Sequence, residues 1–297
     1  MPSRERHYFL LAYLLLFLIT LIWAGNFPAG KIALEVIGPL PLIALRTLIG
    51  AIMLTVMGRN STPNWGAALR ADFRSTLILT LTGVVSSGIL FYFGLKMTTA
   101  SNAGIISAST PIWVTLLSWI FVAERFALIN VCGVLLSFAG LVVIICQGSL
   151  ETLFNRSFNW GDLLILIGQL NWAIFTVYGR IVLARRSAIA ATASAYLTGA
   201  VILFPLMFLE SPLALVPRLS PTVLLAAAYL CILSPLSNFW YSKALAKVSP
   251  HQAAVFMNLM PIIVLLFSAL VLGERITSVQ IVGTVMVISG VIVTTRF

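Results

Sequence analysis

The chain has 297 residues, of which 60% are hydrophobic and 9% charged, and its mean hydropathy is +1.07. A soluble domain needs about a quarter of charged residues to cover its surface. The composition therefore predicts a polytopic membrane protein with little room for a domain outside the bilayer. The net charge of +10 does not call for nucleic acid, because basic residues gather in the cytoplasmic loops of membrane proteins. We expect no nucleic-acid partner.

Ten apolar segments follow one another along the chain, each close to the roughly 20 residues that a transmembrane helix needs. Runs such as Tyr8–Ala24 and Leu128–Cys146 are continuously apolar, whereas the strands of a membrane barrel alternate apolar and polar residues. We therefore predict an all-α protein with ten transmembrane helices. The predicted spans are 8–30, 38–58, 75–96, 102–122, 128–147, 161–181, 189–209, 222–243, 252–272 and 277–296.

The distribution of basic residues predicts that both termini are cytoplasmic, since lysine and arginine favour the inner face. With the N-terminus inside, five basic residues fall on the outer face: Lys31, Lys96, Arg156, Arg218 and Arg275. A larger group then falls on the inner face: Arg4, Arg6, Arg59, Arg70, Arg74, Arg125, Arg180, Arg185, Arg186, Lys243, Lys247 and Arg296.

The second half of the chain repeats the first at a spacing of roughly 150 residues. Ala100–Arg125 and Pro250–Arg275 each hold a central proline, Pro111 or Pro261, and end in Glu-Arg. Four further pairs lie before one inserted residue near Pro250, and two lie after it. The pairs before the insertion are Trp23/Trp172, Gly30/Gly179, Gly50/Gly199 and Tyr92/Tyr241, and those after it are Gly133/Gly283 and Gly140/Gly290.

Each half holds five predicted helices, and because five is odd the second half enters the membrane from the opposite side. The sequence therefore predicts an inverted repeat, related by a pseudo-two-fold axis in the membrane plane. We place the first repeat at residues 1–148 and the second at residues 149–297.

The tail of each half resembles a known family. The stretches PIWVTLLSWIFVAER…CGVLLSFAG and PIIVLLFSALVLGER…VGTVMVISG, with the Ala44-Leu45-Arg46 triplet, are similar to the EamA-type repeat of the drug/metabolite transporter superfamily. Because the sequence is rich in aromatic residues, it most resembles the YddG-type aromatic amino-acid exporters within that superfamily. This resemblance implies ten helices in two inverted halves that transport metabolites without an ATPase domain.

The two central prolines predict kinks beside a cavity. Pro111 has no N–H for the carbonyl of Ser107, and Pro261 leaves that of Met257 without its helical donor. An unsatisfied carbonyl in lipid is costly unless protein or water meets it. The interpretation as a gating pivot competes with a simpler one, in which prolines only set the packing angles of membrane helices.

Helical spacing places aromatic and polar side chains on shared faces, which we expect to point into the bundle. An aromatic cage with a few hydrogen-bond donors suits an amphipathic small molecule, although tryptophan and tyrosine also gather at membrane interfaces. The candidate cavity residues are Trp23, Asn26, Tyr92, Asn102, Ser109, Trp113, Gln169, Trp172, Asn238, Tyr241 and Phe256.

Charge inside the predicted spans is nearly absent. Arg46 lies about two turns into the second helix, where it could meet a substrate carboxylate or serve only packing. The acids fall near helix ends, so no proton-relay carboxylate is evident. We interpret the Glu124-Arg125 and Glu274-Arg275 pairs as helix-end markers.

Signatures of catalysis and of cofactor or metal binding are also missing. His7 and His251 lie far apart, and Cys132, Cys146 and Cys231 stand in apolar runs without metal-type spacing. We therefore predict no enzyme activity, no cofactor and no metal. A monomer or a weak dimer is compatible with the small residues of the fifth and tenth helices.

The sequence as a whole predicts a secondary transporter of the inner (plasma) membrane that exports amino acids, aromatic ones first, by alternating access. Sugar phosphates, nucleotide sugars or drugs are alternative substrates within the same superfamily. A dianionic phosphate would favour clustered basic residues, and only Arg46 is available. An alternative of another class is a membrane sensor or scaffold that transports nothing.

Overall fold

The structure is a computed structural model that describes residues 3–62, 64–122, 128–148, 159–210, 219–245 and 259–296, and for 3–13, 71, 122, 128 and 294–296 it describes the backbone alone. The helices are α1 Ser3–Leu34, α2 Pro39–Gly58, α3 Trp65–Ala71, α4 Phe73–Thr80, α5 Ser87–Met97, α6 Ala100–Ser107, α7 Thr110–Val122, α8 Leu128–Ile145, α9 Trp160–Leu183, α10 Ala188–Leu206, α11 Pro221–Leu245, α12 Met260–Leu272 and α13 Ser278–Arg296.

These helices confirm the predicted all-α membrane fold. Seven spans are long and apolar enough to cross a membrane, and Ile129–Ile145, Met260–Leu272 and Ser278–Val293 are shorter apolar helices. The third predicted span consists of α4 and α5 joined by a π-helical turn, Leu81–Ser86, and the fourth is divided into α6 and α7. Residues 252–258 of the ninth predicted span lie outside the described residues.

The packing of the helices follows the internal repeat. In the repeat α1 corresponds to α9, α2 to α10, α4–α5 to α11, α6–α7 to α12, and α8 to α13. The α1–α11 contact has its counterpart in α9–α5, and the α1–α12 contact in α9–α7. The α2–α10 and α8–α13 pairs are each mapped onto themselves. This exchange is the packing that a pseudo-two-fold axis between two repeats requires.

The α8–α13 pair packs closely through small residues. A Cβ atom on Gly290 would lie 2.5 Å from the carbonyl oxygen of Gly133, and one on Gly140 would lie 2.9 Å from the carbonyl oxygen of Gly283. Ser137 also donates a hydrogen bond to the carbonyl of Val287 at 3.0 Å. Glycine lets two membrane helices approach closely and gain dispersion contacts, so this pair forms a scaffold beside the cavity helices.

Candidate functional site

A cavity of about 110 Å³ lies between the two repeats. Both halves of the chain line it, as expected for a transporter site at a repeat interface. The π-helical turn and the start of α5 contribute small residues to its wall. The lining residues are Trp23, Asn26, Phe27, Arg46, Gly83, Ser87, Gly88, Phe91, Tyr92, Ser107, Gly168, Gln169, Trp172, Asn238 and Met260.

Aromatic rings form one wall of this cavity. The Trp23 and Trp172 rings meet edge to face, with centroids 5.5 Å apart and an interplanar angle of 90°. Tyr241 is buried behind both of them, 5.0 Å from Trp23 and 6.2 Å from Trp172 between ring centroids. Trp23 Nε1 donates to Ser237 Oγ at 3.0 Å, so its polar atom is satisfied within the protein and its apolar surface faces the cavity.

Amide side chains from both repeats add polar groups to the cavity wall. Asn26 Oδ1 accepts a hydrogen bond from Ser234 Oγ at 2.8 Å, and Asn238 Nδ2 donates to the Tyr196 hydroxyl at 2.9 Å. Gln169 accepts from Thr110 Oγ1 at 2.7 Å and donates to Ser107 Oγ at 3.0 Å. These bonds fix the orientation of the amides before any solute enters, which lowers the entropic cost of binding.

Arg46 is the charged residue among those that line the cavity. Its guanidinium carbon lies 6.0 Å from the centroid of the Tyr92 ring, within reach of a cation–π contact. Its Nε is buried and makes no hydrogen bond to the part of the chain that the structure describes. The guanidinium also hydrogen-bonds to the side chains of Tyr92 and Tyr196. These neutral groups do not balance its charge, and a buried cation is expensive unless it is paired, so an anionic group of a solute would be a favourable partner here.

Pro111 explains why the fourth span is divided. The break lies at Ala108–Ser109, where the amide of Ala108 donates to the Ile105 carbonyl at 3.1 Å and that of Ser109 to the Ile106 carbonyl at 3.0 Å. The Ser107 carbonyl, which proline deprives of a helical donor, lies 2.8 Å from Thr110 Oγ1 and shares that hydroxyl proton with the Gln169 side-chain oxygen. The short half-helix α6 is thus a separate, almost fully buried element beside the cavity.

A carboxylate from the other repeat holds the start of α6. Glu274 accepts hydrogen bonds from the amides of Ala100 at 2.9 Å and Ser101 at 3.0 Å, and from Ser101 Oγ at 2.5 Å. It follows Gly273, whose φ of 68° ends α12 in the left-handed conformation. A negative group at a helix N-terminus satisfies free amides and interacts favourably with the helix dipole. We call this contact the Glu274 latch.

Further polar contacts join the two repeats at the same end of the bundle, which we call the Glu274 end. Thr98 donates a short hydrogen bond to Asp162. Asn159 Nδ2 donates to the carbonyl of Met97 at 3.0 Å, and Gln280 Nε2 donates to Asn102 Oδ1 at 2.8 Å. The segment between α5 and α6 is therefore tied to α9 and α13 as well as to Glu274.

The opposite end of the bundle, the Arg186 end, is held by basic side chains. Arg186 lies 4.0 Å from Asp72 and donates to Thr76 Oγ1 at 2.8 Å and Ser194 Oγ at 3.0 Å. Burial lowers the pKa of Arg186, and the neighbouring Asp72 carboxylate partly offsets this. Arg180 donates to the Leu245 carbonyl at the end of α11 at 3.1 Å, a favourable place for a cation.

Comparison with known proteins gives the same duplicated arrangement. The model of the EamA-like transporter family matches residues 10–146 and, a second time, residues 159–296. The chain belongs to the EamA-like transporter family. It is therefore a multi-pass membrane transporter rather than an enzyme, as the sequence predicted.

Full-length relatives of this EamA-like transporter come from archaea and bacteria. An uncharacterized transporter of Archaeoglobus fulgidus is 31% identical over 95% of this chain and 96% of its own length. The uncharacterized transporter YyaM of Bacillus subtilis is 26% identical over 94% of this chain and 92% of its own. The uncharacterized inner membrane transporter YedA of Escherichia coli K12 is 25% identical over 94% of this chain and 89% of its own.

A solved crystal structure has the same fold as this EamA-like transporter. It superposes with a TM-score of 0.67 at 19% identity and covers 96% of both chains. At this identity the likeness concerns the fold alone. The chain thus has the architecture of a solved protein over nearly its entire length.

The structure brings together most of the residues that the sequence singled out in this EamA-like transporter. Tyr241 supports the aromatic wall from behind, and Phe256 lies outside the described residues. The predicted residues that line the cavity are Trp23, Asn26, Arg46, Tyr92, Gln169, Trp172 and Asn238.

Three predicted residues of the fourth span lie elsewhere. Asn102 bonds to Gln280 at the Glu274 end, and Trp113 packs edge to face on Phe138 at 5.2 Å between centroids. Ser109 is fully buried at the break. Its Oγ and Trp113 Nε1 make no hydrogen bond to any described residue. Both prolines lie in the first turn of a helix, Pro111 in α7 and Pro261 in α12, and residues 246–258 before α12 are not described.

Sequence reasoning missed several parts of this transporter's site. Ser107 lines the cavity and bonds to Gln169. The sequence did contain a signal for this residue, because Pro111 leaves the Ser107 carbonyl without its helical donor. Phe91 packs edge to face on Phe27 at 5.2 Å, but it looks like any lipid-facing aromatic residue in the sequence. The role of Glu274 depends on its contact with Ala100, which is 174 residues away in the chain, and no local sequence pattern predicts such a contact.

Proposed function

We propose that this EamA-like transporter exports amino acids, aromatic ones in particular, and related small amphipathic carboxylates. The observation that carries the proposal is the cavity between the repeats, where Arg46 lies among aromatic rings and oriented amides. The guanidinium suits the carboxylate of a solute, and the Trp23 and Trp172 rings suit an aromatic or aliphatic side chain. YddG-type exporters of aromatic amino acids would be the nearest functional match.

Alternating access supplies the mechanism that we propose. The cavity helices α1, α6 and α9 come from both repeats, while the α8–α13 pair remains a scaffold. The Glu274 latch, which ties α6 to α12, would close one end of the cavity and open when the repeats rock against each other. The break at Ala108–Ser109 gives α6 a place to pivot. We also propose Pro111 and Pro261 as pivots.

The orientation in the membrane follows from charge. The basic residues of the Arg186 end outnumber those of the Glu274 end among the described side chains: the first group is Arg59, Arg70, Arg74, Arg180, Arg185, Arg186 and Lys243, and the second is Lys31, Lys96 and Arg275. We place the Arg186 end and both termini in the cytoplasm of a bacterial-type inner membrane. The division into repeats 1–148 and 149–297, and the monomeric or weakly dimeric state, stay predictions.

A second substrate class within the same superfamily is sugar phosphates or nucleotide sugars. A dianionic phosphate is bound best by several charged donors, and Arg46 alone is charged among the described lining residues. The cavity therefore favours a single carboxylate. A sensor or scaffold without transport predicts no solute flux at all, which the following assay measures.

Counterflow in proteoliposomes tests the function. Vesicles are loaded with one unlabelled amino acid, and uptake of the same labelled amino acid is measured. We expect phenylalanine, tyrosine or tryptophan to give counterflow above protein-free vesicles, and Arg46→Gln to reduce it at least tenfold, since a hydrogen bond to a charged group contributes about 1.5–3 kcal/mol. Arg59→Gln is the matched control, because Arg59 is an exposed residue after α2. Absence of counterflow with every aromatic amino acid would contradict the proposal.

A further inference from the structure

The cavity contains a cation without a matching anion. The Arg46 guanidinium carbon lies 6.0 Å from the centroid of the Tyr92 ring, and its buried Nε has no hydrogen-bond partner in the described residues. No aspartate or glutamate is among the residues that line the cavity in the described part of the chain. The site is therefore electrostatically one-sided, although an amino acid carries one charge of each sign.

The described acids are engaged or exposed at the ends of the bundle. Asp72 lies beside Arg186, and Asp162 accepts from Thr98. Glu210 accepts from the amide of Leu40 at 3.2 Å, Glu274 forms the latch, and Glu35 is exposed after α1. None of these carboxylates is placed to receive the ammonium group of a solute in the cavity.

The neutral acceptors of the cavity are also partly used. The side-chain oxygen of Asn26 already accepts from Ser234, and that of Gln169 already accepts from Thr110. The side-chain oxygen of Asn238, whose Nδ2 donates to Tyr196, is a neutral acceptor that also lines the cavity. An ammonium group entering here would leave water for such neutral acceptors and ring faces, whereas a carboxylate would gain a charged, planar donor in Arg46. The gain for the carboxylate exceeds any gain for the ammonium group.

We propose that the carboxylate is the group this site requires and that the amino group is dispensable. This inference rests on the proposed function, because it assumes that the cavity is the transport site. It extends the substrate class to aromatic monocarboxylates that lack an amino group, such as 2-oxo, 2-hydroxy and unsubstituted aryl-alkyl acids. It excludes aromatic amines.

Competition for phenylalanine counterflow tests this proposal on the intact protein in proteoliposomes. The competitors share one aromatic ring and differ in charge: 3-phenylpropionate, phenylpyruvate, 2-phenylethylamine and unlabelled phenylalanine. We expect both acids to inhibit at concentrations equal to or below that of phenylalanine. We expect the amine to require at least tenfold more, the factor that loss of a hydrogen bond to a charged group gives.

Variants at Arg46 add a second, independent readout. Arg46→Lys keeps the charge and should keep the preference for acids over the amine, with weaker binding. Arg46→Gln should bring the half-inhibitory concentrations of 3-phenylpropionate and 2-phenylethylamine within about threefold of each other, because the one-sided charge is gone. If Arg46→Gln does not yield folded protein, the competitor series on the unmodified protein decides alone.

The outcomes distinguish the proposed carboxylate requirement from the proposed transport of aromatic amino acids. Counterflow of phenylalanine that the amine inhibits as well as the acids do, or that neither acid inhibits, overturns the inference and leaves the proposed function standing. Absence of counterflow with phenylalanine, tyrosine and tryptophan overturns both. Inhibition by the acids but not by the amine supports both.

Discussion

Removal of the Glu274 latch should open the cavity from the Glu274 end. The Glu274 carboxylate accepts bonds from the amides of Ala100 and Ser101 and from the Ser101 hydroxyl, at 2.9, 3.0 and 2.5 Å. Each bond to a charged acceptor would contribute about 1.5–3 kcal/mol. These groups are only part-buried, and water replaces the lost bonds when the end opens. We therefore expect the whole latch to stabilise the closed state by about 2 kcal/mol, similar to the cost of losing a helix N-cap.

This energy sets the size of the expected effect. A change of about 2 kcal/mol shifts the ratio of open to closed states about 30-fold. Glu274→Ala should shift the equilibrium by that factor. Glu274→Gln, which keeps an acceptor oxygen but loses the charge, should shift it about fivefold. The direction in both variants is towards the state open at the Glu274 end.

Cysteine accessibility measures this equilibrium. In a background where Cys132, Cys146 and Cys231 are replaced by serine, Ser87→Cys places a thiol on the cavity wall. The rate of its reaction with a membrane-impermeant maleimide added from the Glu274 side follows the open fraction. We expect the rate to rise in the order wild type, Glu274→Gln and Glu274→Ala.

Glu35→Gln serves as the control for charge at the same end, because Glu35 is exposed at the end of α1. It should leave the labelling rate unchanged. A Glu274→Ala protein that is folded and monodisperse but is labelled at the wild-type rate would refute the reasoning. So would an equal acceleration by Glu35→Gln, since the effect would then be general electrostatics rather than a released helix start.

Three further predictions concern the aromatic wall, the scaffold and energy coupling. Trp172→Ala should raise the KM for aromatic solutes about tenfold, whereas Trp113→Ala should leave KM unchanged, because Trp113 is not among the residues that line the cavity; equal KM values in both variants would contradict the site. Gly290→Ala should destabilise the protein by about 1–3 kcal/mol through overpacking at the α8–α13 contact, seen as a lower Tm, while Gly66→Ala, whose Cβ would make only an ordinary contact of 3.5 Å with the Asn64 side chain, should not. Substrate should equilibrate across proteoliposomes without a proton gradient, because no acid lines the described cavity; accumulation driven by an imposed pH difference would contradict this.

The fold was predictable because composition and repetition are global signals. Continuous apolar runs predict helices whatever their neighbours, and matched pairs such as Gly140 and Gly290 reveal the duplication. The structure adds the reason for that match, since a side chain on either residue would collide with the backbone of the partner helix. The family match over both halves confirms this part of the prediction.

The cavity wall was predictable where helices are regular and not where one breaks. Trp23 and Asn26 lie on an unbroken helix, and their shared face does point into the cavity. The stripe Asn102–Ser109–Trp113 assumes one continuous fourth helix. The break at Ala108–Ser109 interrupts the regular helix between α6 and α7, so helical spacing across it no longer identifies one face.

The interpretation of Glu274 as a helix-end marker was correct locally and incomplete. Gly273 and Glu274 do end α12, as their sequence suggests. The carboxylate also caps the start of α6 in the other repeat, and this depends on the approach of two helices from different halves. Local sequence gives no measure of that distance. Its repeat mate Glu124 lies outside the described residues.

Substrate protection of the cavity tests the central claim most directly. In the same cysteine background, maleimide labelling of Ser87→Cys is measured with increasing phenylalanine or 3-phenylpropionate. We predict that either compound slows labelling at the concentration that half-saturates counterflow, because the bound solute occupies the space beside Arg46 and Trp172. Labelling that is unaffected by a solute undergoing counterflow would contradict it, since that solute would then cross the protein elsewhere.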